Sequence, residues 1–394
     1  MTGTVFHPKA FYRKFDSLLA QIGEGVSARK IFPLVLDELV QSFGEDLKIR
    51  SGSIYMLRQG CFKLIEGPIG DVRKDWPDSF PKESPALSLL FQHKSYIFSD
   101  SGEPPWGTES VGLVIGEEDQ YLMVFRLKER WERETLEFSL NTIRSTLNYS
   151  RSTSRFRADL QEASKIQQSL LPRHDPQFEG YDIAGRSVAA ELVGGDLYDY
   201  HLLDELVLGL AIGDASGHGL PAALLVRDVV TGLRMGVEKE MKISGVIKKL
   251  NHVINQSSLS TRFISLVYGE LERNGTFVYT NAGHPPPLLF TKTGVVSLGV
   301  GGTILGPIQE VTFKRGFAFL EPLDILVLYT DGIIERARAD GEMFGIGGLE
   351  TFILDVMTDP AAVIVEKLFD HLLHFGGGEK WRDDATAIVV KRTG

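Results

Sequence analysis

Cysteine is almost missing from this chain: Cys61 stands alone. With one thiol, no disulfide closes within the chain and no cysteine-rich zinc site can be built. A reducing compartment fits that usage. Positive charge is in deficit too. Lys and Arg number 42 against 52 Asp and Glu, a formal net charge of −10. A general nucleic-acid binder needs a basic footprint, so that class is set aside. No apolar run approaches the roughly 18 consecutive residues of a membrane span. Residues 1–14 carry charges and Pro8 but no apolar core of the signal-peptide type. No membrane partner is expected, and a cytoplasmic location is. No Gly-x4-Gly-Lys-Ser/Thr loop occurs, which argues against P-loop chemistry. Internal repeats and low-complexity tracts are absent.

The composition that remains is that of a globular protein. With 43% hydrophobic and 24% charged residues over 394 positions, there is material for two or three domains with sizeable cores. Residues 1–130 read as a first domain. Helical spacing runs over 11–43, through Phe15, Leu18, Leu19, Ile22, Ile31, Leu34, Leu36 and Leu39. Strand-like pairs follow at 53–57 with 61–66, turning at Arg58-Gln59-Gly60, and at 111–115 with 121–127, turning at 116–119. A sheet with flanking helices is the natural arrangement.

Residues 131–172 read as a long helical linker. From 129 to 171 there is neither Gly nor Pro, and Pro172 ends the run. Leu136, Leu140, Ile143 and Leu147 keep a four-three-four spacing, as in a coiled-coil seam. The seam falters over the polar, basic stretch 150–157 and resumes at Leu160, Ile166 and Leu170. Two readings stay open: a helix packed on its own domain, or a signalling helix that pairs two chains into a homodimer.

Residues 173–394 read as a second domain, with short apolar runs between Gly-rich turns. Helices are expected at 217–235, 242–255, 345–357 and 361–374, and a hairpin at 265–272 with 276–281. Four aspartates sit where strand-like runs meet turns: Asp196 after Gly194-Gly195, Asp214 after 206–212, Asp331 after 325–329, and Asp383 before 385–390. Alone, each is ordinary. An Asp-Gly pair makes a turn, and an Asp before a helix caps it. Together, strand ends can bring distant carboxylates to one place. Converging carboxylates repel unless cations sit between them, and oxygen-only donors suit hard octahedral ions such as Mg2+ or Mn2+.

Six stretches carry a resemblance. They are Ile166-Gln167-Gln168-Ser169-Leu170-Leu171-Pro172, then 193–200, 212–224, 281–287, 328–335 and 383–390. In this order they resemble the bacterial PPM (PP2C-like) serine phosphatase domain of the RsbU/SpoIIE type. The resemblance implies an α+β fold: a β-sandwich of two antiparallel sheets flanked by helices. It also implies a pair of Mn2+ or Mg2+ ions held by Asp196, Asp214, the carbonyl of Ala215, Asp331 and Asp383. Asp384 and Asp199 would back up those ligands or serve a third cation. The implied reaction is hydrolysis of a phosphoserine or phosphothreonine, with two ions roughly 3.5–4 Å apart priming a water for in-line attack. The implied partner is a phosphorylated regulatory protein, a STAS-type anti-anti-sigma factor. The first domain is similar to a GAF sensor, of unknown ligand, with Trp76, Trp106 and Phe91 either lining a pocket or filling a core. A catalytically silent, ligand-sensing and partner-binding module is the competing class.

Two departures from eukaryotic relatives stand out. Ser216 occupies the place of their histidine acid, with His218 two residues on, which serves as proton donor or simply starts a helix. No phosphate-binding arginine is evident; Arg186 is near in sequence. In 281–287 the prolines suggest a rigid turn, and His284 is expected to be structural.

Overall fold

The computed structural model describes residues 13, 28–70, 76–99, 104–117, 120–217, 219–237, 242–256 and 262–394. Contacts divide the chain into two units, Met1–Asp159 and Leu160–Gly394. Most of the helical stretch expected before residue 28 lies outside the described residues.

The first unit contains α1 (Ala28–Gln41), β1 (Ile49–Arg58), β2 (Cys61–Gly70), β3 (Ser79–Pro81), α2 (Ser88–His93), β4 (Ser95–Phe98), β5 (Ser110–Ile115), β6 (Tyr121–Leu127) and the start of α3 (Arg133–Gln168). Its strands form one antiparallel sheet in the order β3-β2-β1-β6-β5-β4. Gln59 and Gly60 make the two-residue β1–β2 turn with φ of 50° and 78°. Two left-handed residues give the turn whose twist matches that of the flanking strands. Both sheet faces are covered, which explains why β6 is apolar almost throughout. Met123 and Phe125 pack with Leu36 and Leu140 on one side. Leu122 and Val124 pack with Phe80 and Trp106 on the other.

Burial decides between the two readings of the α3 seam. Leu136, Leu140, Ile143 and Leu147 are at most 2% exposed, and all four lie in the core shared with α1 and the sheet. Their spacing packs α3 on its own domain, so they cannot serve as a seam between two chains. The Trp106 indole is likewise fully buried, and its Nε1 donates to Ser110 Oγ at 3.0 Å. The α3 helix stops at Gln168, and the chain turns through Ser169 and Leu170 before Pro172. The division between the units falls inside this helix, at 159/160. No described helix is long and apolar enough to cross a membrane.

The second unit follows with β7 (Tyr181–Val188), β8 (Asp196–Leu202), β9 (Val207–Ala215), α4 (Leu220–Val237), α5 (Ile243–Gln256), β10 (Ile264–Glu272), β11 (Thr276–Ala282), β12 (Leu288–Thr291), β13 (Gly294–Ser297), β14 (Gly301–Gly302), β15 (Gly316–Phe319), β16 (Ile325–Tyr329), α6 (Asp331–Ile334), α7 (Gly345–Val356), α8 (Ala361–Phe375) and β17 (Ala385–Arg392). One sheet runs β14-β11-β10-β9-β8, with β15 also on β11; the other runs β13-β12-β16-β17-β7. All pairs are antiparallel except β11 with β14. Leu210, Ile212, Val267, Leu328 and Ile388 fill the space between the sheets. The α4 and α5 helices bury their apolar faces on the first sheet, and α6, α7 and α8 on the second. The result is a helix–sheet–sheet–helix sandwich, the layered solution for two half-apolar sheets.

Candidate metal centre

Strand alternation decides which side chains meet. In β9, Leu208, Leu210 and Ile212 face the other sheet, and Asp214 is next on that face. In β8, Tyr198 faces inward, which puts Asp196 on the same side. In β16, Leu326 and Leu328 lead to Thr330; in β17, Ile388 and Val390 are preceded on that face by Thr386 and Asp384. At one end of the sandwich the inward rows therefore change from apolar to oxygen-bearing. Asp196 and Asp214 are directly opposite each other across the β8–β9 ladder.

Asp196 is buried. Its Oδ2 accepts hydrogen bonds from Thr330 Oγ1 at 2.8 Å and Thr386 Oγ1 at 2.6 Å. The Thr386 amide donates to Thr330 Oγ1 at 2.9 Å, so the two hydroxyls form one bracket. Asp196 Oδ1 is buried with no partner. Burial, and then the Asp214 charge, hold the Asp196 carboxyl well above the usual carboxylate range. Burial, followed by Asp331, Asp383 and Asp384, pushes Asp214 up to about 8. Asp331, the first residue of α6, is raised by burial, then by Asp383 and Glu335. Asp383 is exposed, and its Oδ1 accepts from the Asp384 amide at 2.9 Å.

Asp384 is engaged differently. One oxygen accepts from the Ala190 amide at 2.7 Å and the other from the Gly195 amide. Asp384 thus anchors the loop that carries Asp196, and backbone donors already take both of its oxygens. Ala215 closes the loop from the other side, its amide donating to Gly195 O at 3.0 Å. A Cβ on Gly195 would come within 2.9 Å of the Ala215 carbonyl oxygen, so glycine is what lets these two backbones approach.

Asp196, Asp214, Asp331 and Asp383 are within Coulombic reach of one another in the pairs named above. Among the described residues, however, no three acidic, His or Cys side chains close on a single point as a filled metal cage does. The fold thus brings like charges within Coulombic range of one another without closing them on one point. A buried carboxylate oxygen without a donor, facing a second raised carboxyl, fits a hard cation better than any protein group nearby.

Other residues named from the sequence lie elsewhere. Asp199 is three residues from Asp196 in β8, hence on the opposite face. There it makes a two-point ion pair with Arg234 of α4, at 2.8 and 2.9 Å. It stands away from the carboxylate group and cannot serve a third cation there. Arg186 is also on an outward position, bonded to Glu366 at 2.8 Å and stacked 4.9 Å from the Phe369 ring centroid. His218 lies outside the described residues. His284 is buried behind Asp214: its Nδ1 is 2.7 Å from Ser265 Oγ, and Ser265 pairs with Asp214 across β9–β10. Burial depresses its pKa to about 3, so it is neutral and donates no charge to the site.

Four contributors were not recognised in the sequence. Thr330 and Thr386 bracket Asp196, a role that strand parity reveals. Gln167, near the end of α3, exchanges hydrogen bonds with Gly194: its Nε2 donates to Gly194 O, and the Gly194 amide donates to its Oε1 at 3.1 Å. Arg262, half-buried just before β10, donates from Nη1 to Ser216 O at 2.9 Å. It therefore sits on the loop that follows Asp214 and Ala215.

Comparison with known proteins gives a consistent result. The family model of stage II sporulation protein E (SpoIIE) matches residues 204–393. The chain is 30% identical over 239 residues to phosphoserine phosphatase RsbU of Bacillus subtilis (strain 168), covering 60% of this chain and 70% of that protein. It is 25% identical over 246 residues to phosphoserine phosphatase RsbP of the same organism, covering 59% of this chain and 57% of that protein. The SiaA-PP2C domain of Pseudomonas aeruginosa superposes with a TM-score of 0.53 at 20% identity, covering 62% of this chain and 99% of that domain. At that identity the likeness is one of fold.

Proposed function

The chain belongs to the RsbU/SpoIIE-type family of PPM serine/threonine phosphatases, and from that premise we propose that it dephosphorylates a phosphoserine or phosphothreonine on a regulatory protein. The expected substrate is an anti-anti-sigma factor of the STAS type. The observation that carries the site assignment is the facing pair Asp196 and Asp214, with Asp196 Oδ1 buried and unpartnered.

Asp196, Asp214, the Ala215 carbonyl, Asp331 and Asp383 are the proposed holders of two Mn2+ or Mg2+ ions. When bound, such ions acidify water and offset charge on phosphoryl oxygens. The chain's own residues do the rest. Thr330 and Thr386 fix Asp196 so that its free oxygen points away from their bracket. Asp384 holds the 190–195 loop against β17. Arg262, on the Ser216 carbonyl, is the proposed guanidinium for the substrate phosphate, taking the part for which Arg186 was considered. With Ser216 accepting from the Phe263 amide at 2.9 Å and His284 buried and neutral, water is left to protonate the serine oxygen as it leaves.

The first unit, GAF-like in its reading, is the proposed sensor, and α3 is the proposed route of control. The end of α3 holds the site at two points. Gln167 clasps the Gly194 backbone, and Arg234 joins Asp199 of β8 to Leu170 O at 3.0 Å. A turn of this helix would move Gly194, and Asp196 with it. If two chains pair through α3, they use a face other than the buried seam. Phe138, Tyr149 and Phe156 are 49%, 76% and 63% exposed. They lie seven or eleven residues apart, a spacing that keeps them on one side of the helix.

The test is phosphate release from a phosphoserine STAS protein with Mn2+, with Asp331→Ala as control. Turnover that needs the metal and is lost in the variant supports the assignment. No metal-dependent turnover on any phosphoprotein would favour the silent, partner-binding module.

A further inference from the structure

Arg336 lies just beyond α6 and is 5% exposed. All three guanidinium nitrogens donate to backbone carbonyls. Nε reaches Leu372 O at 3.3 Å, Nη1 reaches Lys380 O at 2.9 Å and Nη2 reaches Glu379 O at 2.6 Å. Its Cζ lies 4.8 Å from the Trp381 ring centroid. A planar fork can serve several acceptors at once while stacking on an indole, and a lysine ammonium cannot reproduce that geometry.

The fork holds the approach to Asp383. Residues 376–384 join α8 to β17 without helix or strand, and the stretch opens with Gly376-Gly377-Gly378. Glycine loses the most conformational freedom on being fixed, so a segment of this kind depends on outside ties. Among the described residues, no backbone amide donates to the Glu379 or Lys380 carbonyl; Arg336 takes both. The backbone of Arg336 is itself fixed to the segment that starts with Asp331. The Glu335 amide donates to Asp331 O at 2.7 Å, and the Arg336 carbonyl accepts from the Phe344 amide at 2.9 Å. One side chain thus joins the segment that follows Asp331 to the segment that precedes Asp383.

We propose that Arg336 is a positioning residue: it sets the separation of Asp331 and Asp383, and with it the affinity for the ion that draws on both. The inference rests on the two-ion reading of the site and adds to it a residue that touches neither ion nor substrate. The guanidinium acts through its carbonyl partners, so its shape matters to the site more than its charge.

The experiment is calorimetric titration of the metal-free full chain with Mn2+, comparing the parent with Arg336→Lys and Gly376→Ala. Lysine keeps the charge and loses the fork. The Gly376 variant keeps Arg336 but displaces it, since a Cβ on Gly376 would run into the guanidinium. Gly376 has φ of −80°, which alanine adopts freely, so this variant decides the matter if Arg336→Lys fails to fold. Each variant should weaken one of two Mn2+ uptake steps by about tenfold, as for loss of charge-assisted hydrogen bonds, and leave the other step unchanged. In EDTA, amide exchange over 376–384 should quicken in both variants, a readout that needs no metal. A parent chain that takes up no Mn2+ overturns the two-ion reading and this inference with it. A parent that binds Mn2+ no more tightly than either variant overturns the inference alone. So does an equal weakening of both steps, which marks a loosened fold instead of a displaced pair of ligands.

Discussion

Replacing Asp214 with asparagine should make the metal-free protein more stable while abolishing its metal response. Asp214 is pushed up to about 8 from 3.8 by burial and by Asp331, Asp383 and Asp384. The sign follows from linkage. Because the folded value is the higher one, the unfolded chain gives up its proton first, and the folded state is penalised as pH rises from 3.8 towards 8. Each pH unit costs about 1.4 kcal/mol, so the three units below pH 7 amount to about 4 kcal/mol. Proton sharing with the neighbouring carboxyls lowers the figure, and we take about 2–4 kcal/mol. For a domain of this size each kcal/mol moves Tm by about 2–4 °C, so Asp214→Asn should melt on the order of 5–15 °C higher in EDTA at pH 7. At pH 5 the gain should shrink to about a third of that, because only the interval from 3.8 to 5 contributes. The assay is differential scanning calorimetry with and without Mn2+. Wild type should gain stability from the ion and the variant little. A metal-free variant melting at or below wild type, or a gain that is the same at pH 5 and pH 7, would refute the reasoning.

Other consequences are as definite. Gly332→Ala places a Cβ 1.9 Å from the Asp384 carbonyl oxygen, so it should cost about 1–3 kcal/mol by denaturant unfolding and remove most turnover. His284, neutral in the fold with its pKa depressed from 6.5 to about 3, contributes stability that is complete above pH 6.5 and fades as pH falls towards 3. The deficit of His284→Asn relative to wild type should therefore narrow by about 1.4 kcal/mol per unit below pH 6.5, read from urea midpoints. Gln167→Ala should raise the Mn2+ concentration for half-maximal activity by about tenfold, since it frees Gly194 from one amide clasp. Arg262→Ala should raise KM for a phosphopeptide far more than it lowers metal affinity, and Arg262→Lys should recover only part of the loss.

Much of the second domain was legible from the sequence because its signals are local. The α7 and α8 helices begin at Gly345 and Ala361, where the spacing puts them, and the β10–β11 hairpin turns at Gly275 with φ of 109°. The harder cases share a cause. An apolar stripe such as Leu136, Leu140, Ile143 and Leu147 says that something covers it, not what. The sheet and α1 of the same domain proved to be the cover, so a charge at Ile143 would test the core instead of a dimer. β4 is four residues long at a sheet edge, too short for alternation to show. In β8 the run Asp196–Leu202 is too polar to read as a strand, so its alternation went unused. Three residues along a strand mean opposite faces, and that alone separates Asp199 from Asp196.

The same alternation explains why the site is both legible and unfinished. Inward rows that are apolar for most of their length end in Asp196, Asp214, Thr330, Thr386 and Asp384, so the fold that makes the core also delivers the carboxylates. Their repulsion is then a standing charge against the fold's stability. An ion that binds there relieves it, and by mass action raises stability by RT ln(1 + [L]/Kd). Metal affinity and the geometry of the 190–195 loop are thereby linked. Any displacement that separates Asp196 from Asp214 reduces the repulsion in the metal-free state and weakens the site for the ion. On the proposed route of control, a small movement of the helix end that grips Gly194 through Gln167 would have that effect without touching a ligand. The linkage also runs in reverse: Mn2+ should slow exchange of the Gly194 amide. If hydrogen exchange at Gly194 were indifferent to Mn2+ in wild type and in Gln167→Ala alike, α3 and the ion would not be acting on a common element.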